Sequence, residues 1–120
     1  MNYKHLYVIT RQDLAPGYQG VQSQHALAEF AYMFPDDFKK WRVKSNYLCW
    51  LSVKDTRELK NYLRVAMIRG IKVAAFHEPD IDFELTAFAA EPGVKSARLF
   101  KPLDLALSGV VESVKPRRNR

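Results

Sequence analysis

Three groups of residues in this 120-residue chain are of types that perform chemistry. Tyr18, Gln22, His25 and Glu29 follow one another at i, i+4, i+7 and i+11, which places them on one face if the segment is helical. A histidine near the start of such a helix could act as a general base or donate to an oxyanion. Glu78, Asp80, Asp82 and Glu84 put four carboxylates into seven residues beside His77. A carboxylate in that setting could orient an imidazole or activate water itself. Arg11 and Asp13 close the first apolar segment and form the third group. Each group also has a plainer reading, because a polar stripe opposite an apolar one is what any solvated helix face looks like.

Several chemistries find no support. The acidic segment with His77 could hold a divalent cation, but it lacks the glycine and spacing of an EF-hand loop, and no HExxH pairing is present. The expectation is therefore no metal and no cofactor. No GxGxxG, Walker loop or GxSxG elbow occurs, which argues against nucleotide hydrolysis and serine acyl transfer. The single cysteine, Cys49, lies in an apolar run without thiol partners and reads as a buried small hydrophobe.

The elements that must position these residues follow from the apolar pattern. Leu6–Ile9 is continuous rather than alternating, as in a strand covered on both faces, and Tyr47–Val53 reads the same way. Between them, Leu27, Phe30, Ala31 and Phe34 recur at helical spacing within Tyr18–Phe34, where Pro35 stops the helix. A second helix is expected over Asp36–Lys44, carrying Phe38 and Trp41. Asp55-x-x-Glu58 resembles a capping box that opens a helix through Leu59, Tyr62, Leu63, Ala66 and Met67, with Gly70 as its stop. Ile71–Phe76 and Phe83–Ala89 read as strands joined too closely for a crossover helix, so the pair should be antiparallel. A helical stretch near Val94–Phe100 follows.

This order predicts an α/β fold: a three-layer α/β/α arrangement with a mixed, mostly parallel sheet of about four strands. Tyr7, Leu48, Trp50, Val73 and Phe88 are the expected core. In such sheets a ligand crevice lies beyond the carboxyl ends of the parallel strands, which delivers Arg11, Asp13, His77, Glu78 and Asp80 to one edge.

Composition agrees with one globular domain: 48% of residues are apolar and 27% charged, so the chain can bury a core. No run approaches the ~20 apolar residues of a membrane span, and residues 1–5 lead into a strand rather than a signal-peptide core, so the expectation is a cytoplasmic protein without a membrane partner. The net charge is +6, but Lys115, Arg117, Arg118 and Arg120 supply four of the positives. Residues 1–114 are read as the domain and 115–120 as a basic tail. Such a tail attracts polyphosphate without sequence preference.

The segment Arg11-Gln12-Asp13-Leu14 followed by Gly17-Tyr18-Gln19-Gly20-Val21-Gln22-Ser23-Gln24-His25-Ala26 resembles the opening of type II peptidyl-tRNA hydrolases. That family has an R-x-D-L strand end and then a G-K-x-A-A-Q-x-x-H-A helix. The resemblance continues through Gly70-Ile71-Lys72-Val73, Glu78-Pro79-Asp80 in place of a D-A-G turn, and Thr86-Ala87-Phe88-Ala89-Ala90-Glu91-Pro92 in place of T-V-L-G-I-G-P. It runs from Tyr3 to about Leu107.

The resemblance implies a metal-free esterase that releases peptides from tRNA by hydrolysing the ester to the terminal ribose. It implies catalytic roles for His25, Glu78 and Thr86, and substrate contacts from Arg11, Asp13, Tyr18, Gln22 and Asp80. Lys115, Arg117 and Arg118 would meet tRNA phosphates. Two departures stand out: Tyr18 replaces the family's lysine, and Glu78 replaces its catalytic aspartate. The implied partner is peptidyl-tRNA or another RNA conjugate, and a homodimer is left open. Two other readings share the scaffold: a non-catalytic tRNA- or RNA-binding adaptor, and a small-molecule ester or amide hydrolase.

Overall fold

A computed structural model describes residues 4–108. Among these residues five strands and four helices follow in the order β1 (Leu6–Arg11), α1 (Pro16–Met33), α2 (Pro35–Lys44), β2 (Leu48–Val53), α3 (Thr56–Ile68), β3 (Val73–Glu78), β4 (Glu84–Ala90), α4 (Val94–Phe100) and β5 (Asp104–Leu105). A 3-10 turn, Pro79–Ile81, joins β3 to β4.

The sheet order is β3-β4-β1-β2-β5. β1 pairs with β2 in parallel, while the β1–β4, β3–β4 and β2–β5 ladders are antiparallel. The expected mostly parallel sheet is thus corrected in its pairing. β1, β2 and β3 share one direction, but β4 inserts between β1 and β3 and leaves one parallel ladder. The sheet also has five strands rather than about four. The fifth is two residues long and exposed, and a strand that short carries no periodicity to read.

β1 is buried at all six positions, as its continuous apolar run implies. Leu6 and Val8 join Ala26, Phe30 and Trp41 in one apolar cluster, while Tyr7 and Ile9 join Leu59, Ala66, Leu99 and Phe100 in another. The first cluster draws on α1 and α2 and the second on α3 and α4.

Local signals explain the helix boundaries. Pro16 and Pro35 occupy first-turn positions, where a missing N–H costs nothing. Asp55 caps α3 by accepting from the Glu58 amide at 3.0 Å, and Glu58 reaches back to the Lys54 amide at 3.2 Å. Gly70 has φ 75° just past the end of α3. Among the described residues no helix is long and apolar enough to cross a membrane.

Three core expectations are revised. Leu48 is 49% exposed because β2 begins with one face open, and Trp50 and Val73 are half-buried. Cys49 is half-buried too, and burial pushes its thiol up from the ordinary value.

Candidate active site

α1 buries two glutamines together with its apolar residues: Gln19, Gln22, Ala26 and Phe30 form its inner face. A wholly buried amide must find partners, because desolvation without hydrogen bonds costs about 1–3 kcal/mol per group. Gln22 finds them on two strands. Its Nε2 donates to Glu78 Oε1 at 2.9 Å, and its Oε1 accepts from the Thr86 hydroxyl. The expected polar stripe is therefore divided, with Gln22 inside, His25 exposed, and Tyr18 and Glu29 half-buried.

Thr86 reaches Gln22 through an irregularity in β4. The β3–β4 register runs Val73↔Ala90 to Phe76↔Ala87 and then shifts, so that His77 pairs with Leu85. Thr86 is the extra residue of this bulge. Phe88 and Ala90 face the α3 and α4 cluster, and strict alternation would aim Thr86 the same way. The bulge turns its hydroxyl to the α1 face instead.

Glu78 ends β3 and is 8% exposed. Besides Gln22, it accepts from the Asp80 amide at 3.2 Å through Oε2, with Tyr18 nearby. The Gln22 and Asp80 donors hold its carboxyl below the ordinary carboxylate range, against the effect of desolvation, with the neighbouring His25 and the Tyr18 hydroxyl adding to the shift. Desolvation and the negative charges of Glu78 and Asp80 push the Tyr18 phenol up, so it remains a donor.

His25 stacks on Phe76, with ring centroids 4.3 Å apart and planes 6° from parallel. That contact fixes the imidazole plane while leaving the ring open to solvent. His25 is not in the first turn as expected: α1 begins at Pro16, which places it in the third. The site therefore lies on the helix flank, beyond the reach of its N-terminal dipole.

The structure brings together Glu78, Gln22, Thr86, Tyr18, His25 and the Asp80 amide. Thr86 and Gln22 are both fully buried. Gln22 bonds Glu78 directly, and Thr86 reaches it only through Gln22. Asp80 is exposed and serves through its backbone.

Arg11 and Asp13 form a separate unit. Arg11 continues the alternation of Tyr7 and Ile9 toward the α3 face, away from Glu78. Its guanidinium donates to both Asp13 oxygens at 2.8 and 3.0 Å, to Glu84 Oε1 at 2.6 Å and to the Leu85 carbonyl at 3.1 Å. These partners, Asp13 first, raise its pKa further. A guanidinium so engaged and 6% exposed is a poor phosphate contact.

The four acidic residues near His77 thus disperse: Glu78 points inward, Glu84 pairs with Arg11, and Asp80 and Asp82 are exposed. Among the described residues, no three His, Cys, Asp or Glu side chains converge for a metal ion. Lys115, Arg117 and Arg118 lie outside the described residues.

Two contributors carry no readable signal. Phe76 supplies the stacking surface for His25, yet in sequence it is one more strand aromatic. Gln19 donates to the Leu14 and Gln12 carbonyls at 2.6 and 3.4 Å and holds the loop that opens α1. Compared with known proteins, the chain matches no protein-family model and no curated sequence.

Proposed function

We propose that this chain is a three-layer α/β/α esterase of the peptidyl-tRNA hydrolase type. It would cleave the ester between a peptide, or an acylated amino acid, and the terminal ribose of tRNA, with no metal. The observation that carries the reading is a buried carboxylate, Glu78, held ionised by Gln22 and the Asp80 amide beside an open imidazole, His25. The resemblance of residues 11–26 and 86–92 to that family supports it.

In this mechanism His25 takes a proton from water as the water oxygen attacks the ester carbonyl. Glu78 stabilises the imidazolium that forms. The carbon–oxygen bond to ribose then breaks, and the ribose oxygen takes up the proton. Gln22 and Thr86 are positioning residues, which fix the carboxylate so that little reorganisation accompanies the reaction.

The test is peptide release from N-acetyl-aminoacyl-tRNA by wild type, His25→Ala and Glu78→Gln in EDTA. Turnover by wild type that falls on the order of 100-fold in each variant is expected. Turnover equal in all three would overturn the assignment. One observation favours a second reading, a non-catalytic tRNA-binding protein: Tyr18 supplies a neutral phenol where the family it resembles has an ammonium group. Tight tRNA binding by folded wild type without turnover would establish that reading instead.

A further inference from the structure

The outer face of α3 carries cations that the fold does not use. Lys54, Arg57, Lys60 and Arg64 line one open groove of about 680 Å³, together with Asp55, Glu58 and Asn61. Their spacing places them opposite Leu59, Leu63 and Ala66, which pack toward the sheet. All four are exposed.

Among the described residues Arg11 and Lys72 form ion pairs within 4.0 Å, while Lys54, Arg57, Lys60 and Arg64, like the remaining cations, form none. Arg64 donates to the Asn61 side chain, at 2.7 Å. The two carboxylates in the groove are turned onto backbone amides at the start of α3. Four positives against two negatives leave the groove at +2. Like charges three and four residues apart weaken a helix by a few tenths of a kcal/mol per pair.

Position gives the groove a meaning. Lys54 directly follows Val53, which pairs with Arg11 at the carboxyl edge of β1. Glu78 ends β3 at the same edge. From Arg57 to Arg64 the stripe extends ~10 Å along α3 away from that edge, at 1.5 Å per residue. A second cationic groove, with Lys4, Lys40 and Lys44, lies at the opposite edge and includes Asp37 and Glu91.

We infer that the groove of Lys54, Arg57, Lys60 and Arg64 binds successive backbone phosphates of the RNA whose terminal ester lies at Glu78. This rests on the reading under Proposed function and supplies the phosphate contact that Arg11, held by its carboxylates, does not. The contact is electrostatic and blind to base sequence.

The experiment measures binding of deacylated tRNA to the full chain at several salt concentrations, alongside turnover. The proteins are wild type, the K54Q/R57Q/K60Q/R64Q variant and a K4Q/K40Q/K44Q control, each verified as folded by circular dichroism. The α3 variant should lose tRNA affinity on the order of 100-fold at low salt and flatten the log–log salt slope by about 3. The control should change either quantity far less. Unchanged affinity and slope in the α3 variant, with wild type still turning over, would overturn the inference while the esterase reading stands. An equal loss in the control would overturn it by showing that net charge alone matters. Anionic phosphatidylserine vesicles provide a further arm: loss of vesicle binding with tRNA binding intact would assign the groove to a lipid surface. Wild type that neither binds tRNA nor turns over would remove both the esterase reading and the inference.

Discussion

Gln22 sets its amide nitrogen 2.9 Å from a Glu78 carboxylate oxygen, across 56 residues of chain, with both side chains buried. The same amide accepts from Thr86, 64 residues away. One helix residue thereby ties together the end of β3 and the start of β4.

Replacing Gln22 with Leu removes a donor from Glu78 and the acceptor of the Thr86 hydroxyl. Two buried groups at about 1–3 kcal/mol each give an expected loss of roughly 2–6 kcal/mol in urea unfolding. Thr86→Val should cost about 1–2 kcal/mol alone and markedly less in the Gln22→Leu background. Additive losses would show that the two residues act independently.

Glu78 gives stability a defined pH dependence. Its carboxyl titrates below the ordinary value of 4.5 in the folded chain, so its contribution is fully present above that value. The contribution is lost as pH falls through the lowered folded value. The stability gap between wild type and Glu78→Gln should be constant near neutrality and shrink below about pH 4.5. A gap of the same size at pH 3 and pH 7 would mean that the charge of Glu78 plays no part.

Arg11→Met should destabilise by about 1–3 kcal/mol, below the usual cost of breaking a fully buried pair. Asp13 and Glu84 are 42% and 49% exposed at their side chains and can be rehydrated. Arg11→Lys keeps the charge but cannot reproduce the two-pronged contact with Asp13, so it should recover only part of the loss. Thermal unfolding distinguishes these outcomes.

Asp82 and Phe83 both have φ 58°, in the left-handed region, where they turn the chain from the 3-10 helix into β4. Phe83 is 66% exposed, so its ring adds little burial. Phe83→Asn should raise stability by about 1 kcal/mol through relief of that backbone conformation. A lower melting temperature would reveal that the ring contributes packing after all.

The strands and helices were legible because their apolar patterns were long and their ends carried Pro, Gly and the Asp55–Glu58 pair. Pairing was less so: nothing in Ile71–Phe76 says that β4 will lie between it and β1. Glu78, Gln22, His25 and Tyr18 were legible as candidates and are neighbours in the fold, but the burial of each was not. A glutamine on a helix counts as polar whether it faces water or a carboxylate, so the burial of Gln22 was invisible. Thr86 depends on a one-residue shift against β3, and a bulge leaves no mark in alternation until its partner strand is known.

The long chain separations within the Gln22 contacts also dictate an order of assembly. β3 and β4 can pair early, because the turn between them spans only residues 79–83. α1 must dock across more than 50 residues before its amide meets Glu78, and such distant closures come late. In pulsed hydrogen exchange the β3–β4 amides should gain protection first, and the carboxylate should acquire its final environment only once the whole chain has folded.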